Sequence, residues 1–258
     1  MKKKYRRCFN RFSLSLIIFS LLFFHFHLEP VFSLTTEEEK ILGQKFLMEV
    51  RRHYKFVEDD FATGYINDLG RFLLKPVAVK PFPFRFYIIK DHTLNAFAAP
   101  GGHIFFFAGL IQTMDDADEL AAVLTHEIAH VTARHLAKRL EQNKKMGFAT
   151  MAGVLAGVLI GGKAGGAVAS GSMAAGIQAQ LHFSREDERQ ADQLGFKYMD
   201  ANGLNPSSMI TILDKIQKGN WYDSNKLPSY LLTHPTGPER MANLDSLLSG
   251  YTPKTPGK

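Results

Sequence analysis

Two histidines four positions apart, with a glutamate directly after the first, could together carry out chemistry. His126, Glu127 and His130 lie in a run that is otherwise rich in apolar residues. On an α-helix, positions i and i+4 face the same side, so both imidazoles can bind one metal ion while the carboxylate reaches a water molecule. The pattern can also arise by chance on a solvated helix. The apolar neighbours argue against that, so the pattern predicts half of a zinc site whose third ligand lies elsewhere.

The helix that must position these residues is predicted from its caps and its apolar spacing. Asp116 and Asp118 can cap its first turn, and apolar residues recur at helical spacing after them. Those apolar residues are Leu120, Leu124, Ile128 and Val131. No glycine or proline interrupts residues 118–146, which predicts one helix over that range.

A second polar helix offers the third ligand. Ser184 can cap its start, with Asp187 completing a capping box. Among the carboxylates Glu186, Asp187 and Glu188, only Glu188 has another carboxylate one turn later, Asp192, which could orient a histidine ligand through its free ring N–H. His182 is a weaker alternative, because no nearby residue would support it.

Other histidines give no comparable signal. The metzincin pattern needs a glycine at position 133 and a histidine at position 136, where this chain has Ala133 and Leu136. Lone histidines are usually ordinary surface or half-buried residues, and that is the interpretation of His53, His92, His103 and His135.

The first 33 residues have the pattern of an export signal. Six lysines and arginines precede an apolar run over residues 14–24, and residues 31–33 offer a cleavage site. The run is shorter than the roughly 20 residues that a membrane span needs. We therefore expect cleavage and an exported, periplasmic or otherwise extracytoplasmic protein, with an uncleaved membrane anchor as the alternative.

Charge and cysteine content exclude several function classes. Residues 34–258 keep 25 basic and 24 acidic side chains, so the formal net charge falls from +6 to +1 without the signal. The basic isoelectric point therefore gives no support to nucleic-acid binding. The single cysteine, Cys8, lies in the signal, which excludes disulfides, thiolate zinc ligands and a cysteine nucleophile from the remaining chain.

The remaining patterns predict a mainly helical α+β domain over residues 34–250, followed by a flexible tail at 251–258. Helices are expected from Thr35 to about Tyr54, from Asp59 to near Leu74, over 206–219 and over 238–248. Short strands at 84–89, 95–98 and 103–107 predict a small sheet before the zinc helix. The side chains of 104–107 suit the core, and the backbone of this strand could bind an extended peptide if it formed an exposed edge.

A glycine-rich insertion separates the two predicted halves of the site. Residues 147–176 contain nine glycines and one charged residue, Lys163. Three interpretations are open: a flap over the site, a packed helical hairpin, or a hairpin that contacts a membrane. Trp221 and Tyr222 could line a substrate groove or pack in the core, and packing is favoured.

Four motifs, in this order, resemble those of the zinc metallopeptidases of the HtpX, BepA and CAAX prenyl endopeptidase type. They lie at residues 95–102, 126–130, 184–192 and 233–235, within a resemblance that covers 95–244. HtpX-like members carry several membrane spans that have no counterpart here, so the BepA-like branch fits better. The helical-repeat domain of BepA also has no counterpart, and its role with partners is not transferred.

The resemblance implies a zincin-like, gluzincin-type fold in which His126, His130 and Glu188 bind one Zn²⁺ and Glu127 is the base. It also implies that His234 lies near the site, where it would stabilise the oxyanion or occupy the open metal position as a brake. The implied activity is hydrolysis of unfolded or misassembled extracytoplasmic proteins in envelope quality control. The alternative is a chaperone-like binding module with a latent metal site.

Overall fold

A computed structural model describes residues 34–142, 183–218 and 229–252 of the chain. The predictions for the export signal, the glycine-rich segment, His182, Trp221 and Tyr222 lie outside these ranges. The helices are α1 Thr36–His53, α2 Asp60–Leu73, α3 Ala108–Ile111, α4 Ala117–Thr132, α5 His135–Gln142, α6 Arg185–Ala201, α7 Ser208–Lys218, α8 Ser229–Thr233 and α9 Pro238–Ser249. The strands are β1 Arg85–Ile89, β2 Ala96–Ala99 and β3 His103–Phe107, with a 3₁₀ turn at Pro100–Gly102.

The prediction of a mainly helical α+β fold is confirmed. None of the helices in the described ranges is long and apolar enough to span a membrane.

Side-chain caps set the starts of the principal helices. Thr35 begins α1 with a complete capping box, and Ser184 begins α6 with another. Asp59 and Asp116 accept hydrogen bonds from the first turns of α2 and α4. These caps satisfy backbone N–H groups that have no partner within the helix, which is why the sequence could predict where these helices begin.

The sheet has the strand order β1-β3-β2, with β3 parallel to β1 and antiparallel to β2. All five residues of β3 are buried. Phe105 and Phe107 face a core shared with α1, whereas Ile104 and Phe106 face a core shared with α2 and α4. Because alternate side chains point to opposite faces of a strand, an apolar strand is expected where helices cover both faces.

The central position of β3 corrects one expectation. Its backbone is paired with strands on both sides, so residues 104–107 cannot offer an open edge to a peptide. The expectation for their side chains is confirmed, since Ile104, Phe105, Phe106 and Phe107 are all completely buried.

A tight contact holds α1 against the 3₁₀ turn, and it leads to a stability prediction. A Cβ added at Gly43 would lie 2.1 Å from the carbonyl oxygen of Pro100. We expect Gly43→Ala to lower the melting temperature by several degrees, because overpacking costs about 1–3 kcal/mol and each kcal/mol shifts Tm by about 2–4 °C in a domain of this size. Gly64→Ala is the control: this helical glycine has open space around it, so alanine should stabilise the protein by up to about 1 kcal/mol. Thermal unfolding of both variants tests the contact, and equal Tm shifts would contradict it.

The helix predicted over residues 118–146 is interrupted. α4 ends at Thr132, and α5 begins at His135 after Arg134 adopts a left-handed backbone conformation with φ 54°. Such a conformation costs a non-glycine residue about 1–2 kcal/mol. The guanidinium of Arg134 binds Glu39 of α1 and the carbonyl oxygen of Leu34. These contacts come from about 100 residues away in sequence, and no local pattern reports them.

Candidate metal centre

Helix α4 carries the first half of the site through the middle of the domain. All of its residues from Glu119 to Val131 are buried, including His126, Glu127 and His130. Helix α6 packs across it, and Gly195 permits the close approach because a Cβ there would lie 3.3 Å from the backbone nitrogen of His126.

The fold brings four potential metal-binding groups together: His126, His130, Glu188 and His234. Their donor atoms all lie within 4.8 Å of one another, and all four side chains are buried. The Nε2 atoms of His126 and His130 are 3.0 Å apart. Glu188 reaches each of these nitrogens at 3.4 Å, and the Nδ1 atom of His234 lies 3.0 Å from Glu188 Oε1.

This arrangement fits a zinc ion. A tetrahedral ion with bonds of about 2.0–2.1 Å separates its ligand atoms by roughly 3.3 Å, and the donor separations here fall close to that distance. Three imidazoles and a carboxylate are also the ligand types that zinc accepts in proteins without cysteine. The cluster can therefore bind one metal ion.

A buried arginine and aspartate orient His126. Asp192 Oδ1 lies 2.9 Å from His126 Nδ1, which leaves Nε2 directed at the donor cluster. Arg240 of α9 donates two 2.8 Å hydrogen bonds to Asp192 and lies 2.8 Å from Glu188 Oε2 through Nη1. Arg240 therefore links the carboxylate beside His126 to the carboxylate in the cluster, and it holds both in place.

The sequence predicted a helix over residues 238–248 but assigned no role to Arg240. Only two residues of α9 are buried, Arg240 and Leu244. The available signal was an arginine one helical turn before an apolar core position, and six residues after His234. That signal is weak, because arginines on helices are usually solvated.

A chain of hydrogen bonds orients His130. Gln190 Oε1 lies 2.8 Å from Nε2 of His135, which makes that nitrogen the donor. The Nδ1 atom of His135 then accepts from Nδ1–H of His130 at 3.0 Å, so the lone pair of His130 Nε2 faces the cluster. The expectation that His135 is an ordinary histidine is wrong. The break at Arg134 places it in a fully buried position beside His130.

We expect His135→Ala to weaken zinc binding by about 10–100-fold, because it leaves the Nδ1–H of His130 without its acceptor. Competition with a zinc-chelating dye measures the affinity, and circular dichroism checks that the variant is folded. His53→Ala is the matched control, since His53 is exposed and contacts only Glu49 in the described contacts. Unchanged affinity in folded His135→Ala would show that this histidine does not support the site.

Glu127 and His234 lie beside the donor cluster. Glu127 is completely buried, and neither of its carboxylate oxygens has a hydrogen-bond partner among the described residues. The Nε2 atom of His234 lies 3.5 Å from its Oε1. The ring of Tyr230 stacks on His234 at 4.6 Å, and the backbone N–H of His234 donates to the Tyr230 carbonyl. An unsatisfied buried carboxylate is costly, and a water or substrate group at the site would satisfy it.

Charges within the cluster set the protonation of the donors. Burial alone would raise the pKa of Glu188, but the charge of Arg240 and the neighbouring histidines hold it well below its usual range. Burial lowers the pKa of His130 well below its usual value, so this imidazole stays neutral. Burial and Arg240 would also lower the pKa of His126, but Asp192 and Glu188 outweigh them and raise it to about 9.

The three carboxylates at the start of α6 separate clearly in space. Glu188 points into the cluster and is 2% exposed. Glu186 is exposed and pairs with Arg189, whereas Asp187 caps the helix and binds Arg139. The structure therefore brings Glu188 to His126 and His130, and Asp192 to His126, as the sequence predicted their positions.

Sequence comparison shows that this chain is similar to known metallopeptidases. It is 34% identical over 214 residues to the beta-barrel assembly-enhancing protease of Yersinia pestis, which covers 82% of this chain and 44% of that protein. The Escherichia coli K12 protein of the same name is 32% identical over 214 residues, again 82% of this chain and 44% of that protein. Mitochondrial metalloendopeptidase OMA1 of Arabidopsis thaliana is 31% identical over 205 residues, which cover 80% of this chain and 37% of that protein. The chain thus spans about half the length of these relatives, or less.

A family model gives the wider assignment. Residues 61–248 match the model of peptidase family M48, a range that extends from α2 into α9 and includes the whole donor cluster. Metallopeptidases of this family use zinc, which agrees with the donor set described above. The resemblance in the four sequence motifs is thereby confirmed, and the chain belongs to peptidase family M48.

Proposed function

We propose that this chain is a zinc-dependent metalloendopeptidase that cleaves unfolded or misassembled proteins in an extracytoplasmic compartment, as part of envelope quality control. His126, His130 and Glu188 would hold the zinc ion, with Glu127 as the base. The relatives named beta-barrel assembly-enhancing protease support protein substrates of this kind. The export signal predicted in residues 1–33 supports the compartment.

The observation that carries the proposal is a buried carboxylate, beside a set of zinc donors, that has no hydrogen-bond partner among the described residues. The donor cluster would suit a structural metal equally well. Glu127 is different, because neither of its oxygens has a hydrogen-bond partner among the described residues, and its Oε1 lies 3.5 Å from His234 Nε2. A structural zinc site does not require a free carboxylate, whereas a hydrolytic site requires a base beside the metal.

The chain's own residues would act as follows. Zinc, when bound, supplies a Lewis acid that lowers the pKa of water and polarises the scissile carbonyl. Glu127 accepts the proton of the attacking water and delivers it to the leaving amine nitrogen. Arg240 keeps Glu188 and Asp192 ionised and fixed, and Asp192 holds His126 in the required tautomer. A cleft of about 180 Å³ is lined in part by Glu188, Arg240 and Pro235.

The proposal is tested by incubating the zinc-loaded protein with casein and sequencing the new termini. Cleavage should stop when a chelator removes the metal and return when zinc is restored. A second incubation with an extracytoplasmic proteome would identify natural substrates by their new termini. No zinc-dependent termini in either incubation would contradict the peptidase function.

A second candidate function is a binding module whose metal site is held closed. The observation that favours it is the position of His234, whose Nδ1 atom lies 3.0 Å from Glu188 Oε1 and 3.4 Å from His126 Nε2. In that position the ring can occupy the coordination site that a substrate carbonyl would need. Tight binding of unfolded protein that persists in Glu127→Gln, without cleavage in the wild type, would support this function.

We expect His234→Ala to raise the rate of casein cleavage several-fold, because the variant frees one position beside the cluster. Rates are measured at saturating zinc, so that a change in metal occupancy does not affect the comparison of rates. Leu232→Ala is the control, since Leu232 is an exposed neighbour on α8. A fall in rate would instead assign His234 to stabilising the oxyanion.

A further inference from the structure

The imidazole of His234 lies close to two carboxylates at once. Its Nδ1 atom is 3.0 Å from Glu188 Oε1, and its Nε2 atom is 3.5 Å from Glu127 Oε1. One of these carboxylates belongs to the donor cluster, and the other is the proposed base. Because a displacement of about 1 Å can change the rate of an enzyme strongly, the function of His234 depends on what holds its ring in this position.

The hydrogen bonds of helix α8 fix only the main chain of His234. The N–H of His234 donates to the carbonyl oxygen of Tyr230 at 2.8 Å, and Thr233 Oγ1 donates to the same oxygen at 3.1 Å. The N–H of Tyr230 donates in turn to the carbonyl oxygen of Leu94, close to the start of β2. These bonds leave the two side-chain torsions of His234 unrestricted, so its ring must be held by other contacts.

Two aromatic rings pack against the imidazole of His234. The centroid of the Tyr230 ring lies 4.6 Å from that of His234, with an angle of 22° between the planes. The Phe183 ring lies 5.2 Å from the same imidazole at an angle of 32°, and 4.0 Å from the ring of His130. Both aromatic side chains are almost completely buried. In a close-packed interior, such contacts oppose rotation of the ring that they enclose.

We propose that Tyr230 and Phe183 form an aromatic clamp that positions His234 between Glu188 and Glu127. The two rings come from separate elements, since Tyr230 lies on α8 and Phe183 directly precedes the cap of α6. Both act through His234, so they are positioning residues and not catalytic ones. The inference rests on the proposed peptidase function only where rates of cleavage are compared.

The clamp requires the aromatic ring at position 230, because the ring makes the stacking contact with His234. Tyr230→Phe should therefore keep His234 in place, whereas Tyr230→Leu should release it. A tyrosine that only fills the core would show no such link to His234. The two variants thus form a matched pair.

The clamp is tested by the reaction of His234 with diethyl pyrocarbonate, measured by mass spectrometry on the zinc-loaded full chain. The tryptic peptide 227–240 contains His234 as its only histidine, so the extent of reaction is measured directly. We expect Tyr230→Leu to speed the reaction several-fold, because a released ring reaches solvent more often. Tyr230→Phe should react at the wild-type rate.

Two other histidines are internal controls for this measurement. His103 is 5% exposed and should stay protected unless the whole domain loosens, whereas His53 is exposed and should react equally in every variant. Equal rates for His234 in the wild type and in folded Tyr230→Leu would overturn the clamp, and so would an equal rise for His103. If Tyr230→Leu does not fold, Phe183→Leu removes the other ring, and the same outcomes decide.

A cycle of four proteins separates positioning from a purely structural role. Casein cleavage at saturating zinc is compared in the wild type, Tyr230→Leu, His234→Ala and the double variant. Tyr230→Leu should change the rate in the same direction as His234→Ala, and it should add almost nothing when residue 234 is already alanine. Leu232→Ala is the control, because Leu232 is exposed on the same short helix.

An equal effect of Tyr230→Leu in both backgrounds would overturn the clamp. A wild-type protein that cleaves no casein would contradict the proposed function instead, and the reaction of His234 with diethyl pyrocarbonate would still decide the clamp.

Discussion

Glu127→Gln is expected to leave one zinc ion bound per chain and to reduce casein cleavage by about 10²–10⁴-fold. Glutamine has nearly the same shape as glutamate but cannot accept the proton of the attacking water. The side chain is completely buried, so a replacement of similar size is needed to avoid a cavity. Because Glu127 points to the edge of the donor cluster and is not itself one of its four members, the metal should stay.

Two measurements on this variant separate catalysis from metal binding. Metal analysis gives the zinc content, and sequencing of casein fragments gives the rate of cleavage. Glu186→Gln is the control, because Glu186 is exposed on α6 and pairs only with Arg189 in the described contacts. A Glu127→Gln protein that cleaves within ten-fold of the wild-type rate would rule out this residue as the base.

Glu188→Ala is expected to lose zinc and, with it, all metal-dependent cleavage. The variant removes the only carboxylate of the four-member cluster, and it leaves Arg240 with Asp192 as its remaining acidic partner. The unbalanced positive charge of Arg240 beside three imidazoles would oppose the return of a divalent ion. Metal analysis after dialysis measures the loss, and thermal unfolding in the presence of chelator reports on the fold.

The two neighbours of Glu188 are matched controls for this result. Glu186→Ala should keep both zinc and stability, because Glu186 is exposed. Asp187→Ala should keep zinc but lower stability by about 0.5–2 kcal/mol, since Asp187 completes the capping box of α6 and pairs with Arg139. Full zinc occupancy in Glu188→Ala would move the third ligand to another residue, such as His182.

The sequence alone determined those parts of the candidate site that depend on one helix at a time. His126, Glu127 and His130 share a face because of the helical repeat, and Asp192 follows Glu188 by one turn for the same reason. Capping residues gave the starts of α1 and α6 because the cap contacts are local. The position of His234 near these helices came only from the resemblance between motifs, since no local rule brings it to α4.

Tertiary structure alone decided which residues orient the metal-binding side chains of the cluster. Arg240 reaches Asp192 across 48 residues of sequence, and its burial depends on the packing of α9 against α6. His135 turns toward His130 because Arg134 breaks the helix, and that break is stabilised by Glu39 and Leu34, which lie about 100 residues earlier in the sequence. Local patterns could not show either feature, because the contacts that stabilise a strained backbone or a buried charge come from residues distant in sequence.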